Sequence, residues 1–142
     1  MLRDEVIKYY YPPNGYNYSC SESMLRAVSD YFRLDLPEET FFAASSFSGG
    51  CGHDELCGGL ASALAVIGIL YSVGGHAHDS DTMRAVRKEL FDRFEEKYPT
   101  SRCLWLKEHH FIPVHKCESI LADIADILEE LLQKYEYVNP RG

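Results

Sequence analysis

Cysteine is the residue type in this chain whose placement most favours chemistry. Three of the five cysteines stand where a helix is predicted to begin: Cys20 beside a capping serine, Cys57 after a glycine-rich turn, and Cys117 before a long apolar-periodic stretch. Unpaired amide groups and the dipole at a helix N-terminus stabilise a thiolate, the form of cysteine that acts as a nucleophile and binds metals. Thiol redox chemistry and metal ligation are therefore the two kinds of chemistry that the sequence favours.

The glycine-rich turn before Cys57 leads into the most apolar segment of the chain. The turn contains glycines that permit positive φ, and Asp54 is a plausible N-cap for a helix that continues through the apolar run from Leu60 to Val73. That run is shorter than the roughly 20 apolar residues that cross a bilayer, so we predict a central core helix. Such a helix needs cover on all sides in a chain with few helices, and we therefore expect self-association, most simply as a two-fold homodimer.

Helical spacing of apolar residues and the positions of capping residues predict the remaining elements. They are a short helix from Leu2 to Tyr11, a helix capped by Ser19 or Ser21, a helix opened by Asp35 and Pro37, a helix from about 80 to 98, a short helix or turn at Cys103, and a long amphipathic helix from near Val114 to near Tyr137. No strong β-alternation is present. We expect an all-α fold, a compact bundle of five to six helices around the central helix, in one domain over 1–142 whose first 16 residues form an N-terminal arm.

Composition excludes several classes of function. The chain has 142 residues, enough for one domain with a real core, and its net charge of −8 disfavours nucleic acids and anionic membranes as partners. The first residues are charged and lack the apolar segment of a secretory signal, so we expect a cytoplasmic protein. In a reducing compartment, five cysteines indicate reactive or metal-binding thiols and not a disulfide scaffold.

The cysteine environments also resemble those of a known family. The segment Asn17-Tyr18-Ser19-Cys20 opens a helix, Gly49-Gly50 precedes Glu55-Leu56-Cys57-Gly58, Cys103 is followed by Leu106, and Cys117 precedes an apolar helix. Over about residues 17–133 the chain resembles the C_GCAxxG_C_C family of redox-active proteins, which is named for a cysteine, a Cys-Gly-Ala-x-x-Gly motif and two further cysteines. Here Gly59 replaces the alanine of the motif, Ser62 replaces its final glycine, and Cys51 is additional to the pattern.

The resemblance implies a redox function carried by Cys20, Cys57, Cys103 and Cys117. Some relatives are similar to split-Soret cytochromes, but the Cys-x-x-Cys-His sequence that attaches haem is missing here, so no haem is expected. In the first hypothesis one cysteine attacks a redox partner protein or a small oxidant and a second cysteine resolves the product. In the second, the same four thiols ligate zinc or an iron–sulfur cluster, with Cys51 and His53 as further ligands and His109, His110 and His115 nearby. In a third, the cysteines are inert and the protein has a structural or interaction role.

The first two hypotheses require the four thiols to converge in space, whereas the third does not. Converging helix N-termini would also lower the thiol pKa values. We expect Cys57 to be the most reactive thiol, because Gly58 and Gly59 would leave its sulfur unshielded. Cys51 is expected either to join the cluster or to act as a resolving thiol.

Overall fold

A computed structural model describes residues 1–140, and within that range it contains seven α-helices and no β-strand. The helices are α1 (Leu2–Tyr10), α2 (Cys20–Tyr31), α3 (Glu38–Ser45), α4 (Gly58–Tyr71), α5 (Asp81–Lys97), α6 (Cys103–His110) and α7 (Glu118–Lys134). The predicted all-α fold is confirmed. The helices number seven and not five to six, because the segment at Cys103 that the sequence left between a helix and a turn is a helix of eight residues.

The apolar helix α4 is buried mainly by three neighbours. It packs against α2, α5 and α7, and side chains such as Leu60, Val66 and Ile67 are almost fully inaccessible. α4 is not the sole centre of the bundle, since α2 contacts α1, α3, α4 and α7. No helix in the described part of the chain, α4 included, is long and apolar enough to cross a bilayer.

One face of α4 remains half-exposed. Its residues are small or apolar and recur at helical spacing: Ala61, Leu64, Ala65, Gly68 and Ile69. Because the three neighbouring helices already bury the rest of α4, the original reason for expecting a homodimer is weakened, and self-association stays a prediction.

A buried hydrogen bond joins α2 to α4 next to the first cysteine. The Ser62 hydroxyl donates to the Ser21 carbonyl oxygen at 2.7 Å, and both side chains are fully buried. Such a bond contributes about 1 kcal/mol net. The residue that replaces the final glycine of the motif therefore fixes the position of Cys20 relative to α4.

The N-terminal arm is part of the core. Leu2 and Val6 of α1 are fully buried where α1 packs against α2 and α7. The Leu2 amide donates to the Glu129 carboxylate at 2.7 Å, and Arg3 pairs with Asp126 at 2.7 Å. These contacts hold the beginning of α1 against the middle and C-terminal half of α7.

Candidate functional site

The four family cysteines all lie at helix N-termini. Cys20 is the first residue of α2, where Ser19 is the N-cap and accepts a hydrogen bond from the Glu22 amide. Cys103 is the first residue of α6, and Cys57 and Cys117 are the N-cap residues of α4 and α7. The placement predicted for Cys20, Cys57 and Cys117 is confirmed, and Cys103 shares it.

The cap predicted for α4 is wrong. Asp54 lies three residues before Cys57 in a left-handed conformation (φ 56°), and its carboxylate pairs with Lys107 of α6 at 2.8 Å. The carboxylate is thus engaged with a residue 53 positions away and not with the first turn of α4. α4 consequently begins at Gly58, with Cys57 as its cap.

A short antiparallel bridge sets Cys57 beside Cys103. Leu56 pairs with Arg102; the Cys57 amide donates to the Ser101 carbonyl oxygen at 3.0 Å, and the Cys103 amide donates to the Glu55 carbonyl oxygen. The backbone before α4 and the backbone before α6 therefore run side by side. The beginnings of these two helices, with their cysteines, are held together by main-chain hydrogen bonds.

Glycine permits a second close approach, between Cys20 and the beginning of α4. A Cβ atom at Gly58 would lie 2.8 Å from the Cys20 sulfur and 2.9 Å from the Phe47 carbonyl oxygen. No side chain fits in that space. The missing side chain at Gly58 thus allows the Cys20 thiol to pack directly against the backbone that follows Cys57.

The four thiols are close enough to influence one another's ionisation. After burial, the charges of Cys57, Cys117 and Cys103 contribute to the raised pKa of Cys20. The pKa of Cys57 is raised by burial and by the charges of Cys103 and Cys117, and that of Cys117 by burial and by Cys103. Cys20, Cys57, Cys103 and Cys117 therefore lie in one region of the fold, which we call the thiol cluster. All of them are free thiols, as is Cys51.

Burial outweighs the helix N-termini in setting the acidity of the two innermost thiols. Burial raises the pKa of Cys57 to about 11 and that of Cys20 to about 12. The amides of Leu60 and Gly59 act in the opposite direction on Cys57, although its side chain makes no formal capping hydrogen bond. The amides at the beginning of α4 therefore favour the Cys57 thiolate, but desolvation of the charged form is the larger effect.

The prediction that Cys57 is unshielded is wrong. Its side chain is only 8% exposed. The flanking glycines do not open a path to solvent, since Gly58 faces the Cys20 sulfur and Gly59 faces the ends of the Leu121 and Ile124 side chains. The role of Cys57 in chemistry stays a prediction, but it is that of a buried thiol.

Lys107 is a charged neighbour of the cluster that sequence reasoning missed. Burial raises the pKa values of Cys103 and Cys117, and the Lys107 ammonium group acts in the opposite direction on both. Lys107 lies four residues after Cys103, one turn further along α6, so its spacing on a predicted helix was the available signal. It is the cation best placed to stabilise a thiolate in the outer part of the cluster.

Two tyrosines also line the cluster. The Tyr10 hydroxyl accepts a hydrogen bond from the Cys117 amide at 3.4 Å, and Tyr10 lies near enough to Cys20 to feel its charge. Burial and a hydrogen bond to Asp123 raise the pKa of Tyr98, and the charge of Cys57 adds to the shift. Tyr10 belongs to a tyrosine-rich N-terminal stretch, but no sequence signal connects it or Tyr98 with the cysteines, because both reach the cluster through tertiary packing.

The proposed metal ligands do not assemble around a common point. Within residues 1–140, no group of three or more histidine, cysteine, aspartate or glutamate side chains is arranged to hold a metal ion. His53 is exposed, the His109 ring stacks on Trp105 at 3.9 Å, and His115 contacts Glu118 at 3.1 Å. The arrangement of these side chains in the described part of the chain does not fit a zinc or iron–sulfur centre.

Comparison with known proteins agrees with the pattern of cysteines. A model of the family described as "Putative redox-active protein (C_GCAxxG_C_C)" matches residues 18–131, which is most of the chain. Among curated proteins and among solved structures, none matches this chain.

Proposed function

Because this chain belongs to the family described as "Putative redox-active protein (C_GCAxxG_C_C)", we propose that it is a thiol–disulfide redox protein acting through the thiol cluster. The observation that carries the proposal is the gathering of free thiols at the beginnings of different helices. The Leu56–Arg102 bridge holds Cys57 beside Cys103, and the Cys20 sulfur packs against Gly58. Inert cysteines need no such arrangement, whereas a disulfide requires two α-carbons within about 7 Å of each other.

The reaction proposed is a two-electron exchange with a disulfide. A thiolate of the protein attacks one sulfur of a disulfide R–S–S–R, forms a mixed disulfide and releases R–S⁻, which takes up a proton. A second cysteine of the protein then attacks the mixed disulfide and releases the second R–SH. The protein gains one intramolecular disulfide and loses two protons and two electrons, and the reactant is reduced to two thiols.

The four thiols of the cluster differ in how easily they lose a proton. Lys107 favours the thiolate at Cys103 and Cys117. Cys57 and Cys20 keep their protons at neutral pH because burial raises their pKa values to about 11 and about 12. We therefore infer that oxidation enters the cluster at Cys103 or Cys117, and that Cys57 and Cys20 resolve or store the disulfide.

The test is a redox titration of the full-length protein. Samples purified anaerobically are equilibrated with defined ratios of reduced to oxidised glutathione, quenched with iodoacetamide and mapped by mass spectrometry. We expect a single two-electron transition that produces an intramolecular disulfide involving the cluster, and a shift of its midpoint potential in Cys117→Ser. If all five thiols stay free at an oxidising potential of about −200 mV, the proposal fails. Metal analysis of the same sample would show directly whether the thiols are ligands instead.

A further inference from the structure

Cys51 is the cysteine that the family pattern does not include, and it is the one exposed cysteine of the five. It lies in the turn that precedes α4, where Gly49, Gly50, Cys51 and Gly52 all have left-handed backbones with φ between 61° and 72°. We call residues 49–52 the left-handed turn. This conformation carries the Cys51 side chain at the protein surface beside the beginning of α6.

Cys51 and Cys103 are held against the same short piece of backbone. The Cys51 sulfur lies 3.9 Å from the Leu56 carbonyl oxygen, and the Cys103 amide donates to the carbonyl oxygen of the preceding residue, Glu55. Gly50, next to Cys51, is so close to α6 that a Cβ atom there would lie 2.6 Å from the Cys103 Cβ. Main-chain contacts thus place the two cysteines side by side.

The electrostatic effect of Cys51 on the other cysteines also connects it with Cys103. Burial raises the pKa of Cys103, and the charge of Cys51 contributes to that shift, whereas Cys51 does not figure among the main causes of the shifts at Cys20, Cys57 and Cys117. An ion pair between Asp54 and Lys107 fastens the end of the turn to α6. Cys103 is therefore the member of the thiol cluster that lies nearest to Cys51.

We propose that Cys51 and Cys103 form a disulfide, and that oxidation reaches the thiol cluster through this bond. Cys51 is the thiol that attacks a disulfide-bearing reactant from solution. This proposal rests on the thiol–disulfide function proposed above. Cys51 attacks the reactant R–S–S–R and releases R–S⁻. The Cys103 thiolate then attacks the Cys51 sulfur of the mixed disulfide and releases the second R–S⁻. The two cysteines lose two protons and two electrons as the Cys51–Cys103 bond forms. The reactant gains these two electrons, and each R–S⁻ takes up one of the protons.

The test uses the reduced full-length protein and a small probe, 2-hydroxyethyl disulfide, in less than stoichiometric amount. After an acid quench and alkylation, peptide mapping identifies the first sulfurs to react. In the wild type we expect the first intramolecular disulfide to join Cys51 and Cys103. Cys103→Ser should accumulate the probe on Cys51 as a mixed disulfide, and Cys51→Ser should slow the first oxidation about tenfold. Circular dichroism establishes that each variant is folded.

A matched control separates proximity from mere exposure. Ser72 is exposed just after the C-terminal end of α4, about 20 Å from the end that carries Cys57. In a Cys51→Ser background, Ser72→Cys offers an exposed thiol that can take up the probe but cannot reach Cys103. We expect a stable mixed disulfide at that position and no restored rate of intramolecular disulfide formation.

Two outcomes would overturn the proposed role of Cys51. Only the second would also refute the thiol–disulfide function of the protein. If the first disulfide joins two members of the thiol cluster and Cys51→Ser oxidises as fast as the wild type, the role of Cys51 is refuted while the thiol–disulfide function stands. If the probe oxidises no cysteine of the folded protein, both proposals fall together.

Discussion

Gly50 offers the sharpest test of how the left-handed turn is held against α6. Its backbone has φ 63°, and an added Cβ atom would lie 2.5 Å from the Glu55 amide nitrogen and 2.6 Å from the Cys103 Cβ. The first of these neighbours is backbone and the second is attached to it, so neither can move aside without shifting the chain. Gly50→Ala should therefore destabilise the fold by both backbone strain and overpacking.

The neighbouring Gly49 provides a matched control, because it shares the left-handed backbone without the crowding. Its φ is 66°, and an added Cβ atom would meet nothing within 4 Å. Gly49→Ala should cost only the left-handed strain of about 1–2 kcal/mol. Gly50→Ala adds overpacking of about 1–3 kcal/mol, for a total of about 2–5 kcal/mol.

The assay is urea unfolding of both variants under reducing conditions, followed by circular dichroism and linear extrapolation. Only the difference between the two variants reports on the contact with Cys103, since the strain is common to both. Equal losses of unfolding free energy in Gly49→Ala and Gly50→Ala would show that the turn does not approach α6 as described. A faster alkylation of Cys103 in Gly50→Ala would independently indicate that the contact has opened.

Three further expectations concern charge, pH and assembly. Lys107→Gln removes the cation that favours the Cys103 thiolate, so alkylation of Cys103 by iodoacetamide between about pH 7 and 9 should slow; an equal slowing in Lys88→Gln, which changes the net charge alike, would contradict this. Burial raises the pKa of Cys57 to about 11, whereas an unfolded thiol loses its proton near pH 8.5, so the unfolded state binds fewer protons and stability should fall as pH rises through this window. Cys57→Ser should fall less steeply, and identical slopes would argue against a buried thiol. Light scattering at micromolar concentration should detect a dimer, and a purely monomeric protein would refute self-association.

Most helices were predictable because their signals are local. α5 occupies Asp81–Lys97, close to the predicted 80–98, since its caps and apolar spacing lie within the segment itself. α4 begins at Gly58, later than a cap at Asp54 would place it, because the Asp54 carboxylate pairs with Lys107. α7 begins at Glu118 and not near Val114, because Ile112 and Lys116 pair across a tight turn that precedes it. The errors thus fall where a contact from elsewhere in the chain overrides local preference.

The same distinction separates what could and could not be predicted of the site. Capping residues and glycines place cysteines at helix beginnings, and that information is contained in short stretches around Cys20, Cys57 and Cys117. The burial of Cys57 depends on neighbours such as Leu121 and Ile124, which lie more than 60 residues away. Acidity at helix N-termini could therefore be anticipated, but the desolvation that outweighs it could not.

The spacing of the five cysteines along the chain has a consequence for folding. In an unfolded chain the ease of disulfide formation depends on loop length, and Cys51 and Cys57 are 6 residues apart whereas Cys51 and Cys103 are 52 apart. The longer loop costs about 2 kcal/mol more to close, which favours the short loop about 25-fold. Oxidation before folding would thus trap Cys51 with Cys57, a residue that the native structure buries at the beginning of α4. If the native disulfide joins Cys51 and Cys103 as proposed, the nascent chain must fold while its thiols are reduced, because only the folded structure brings these two residues together.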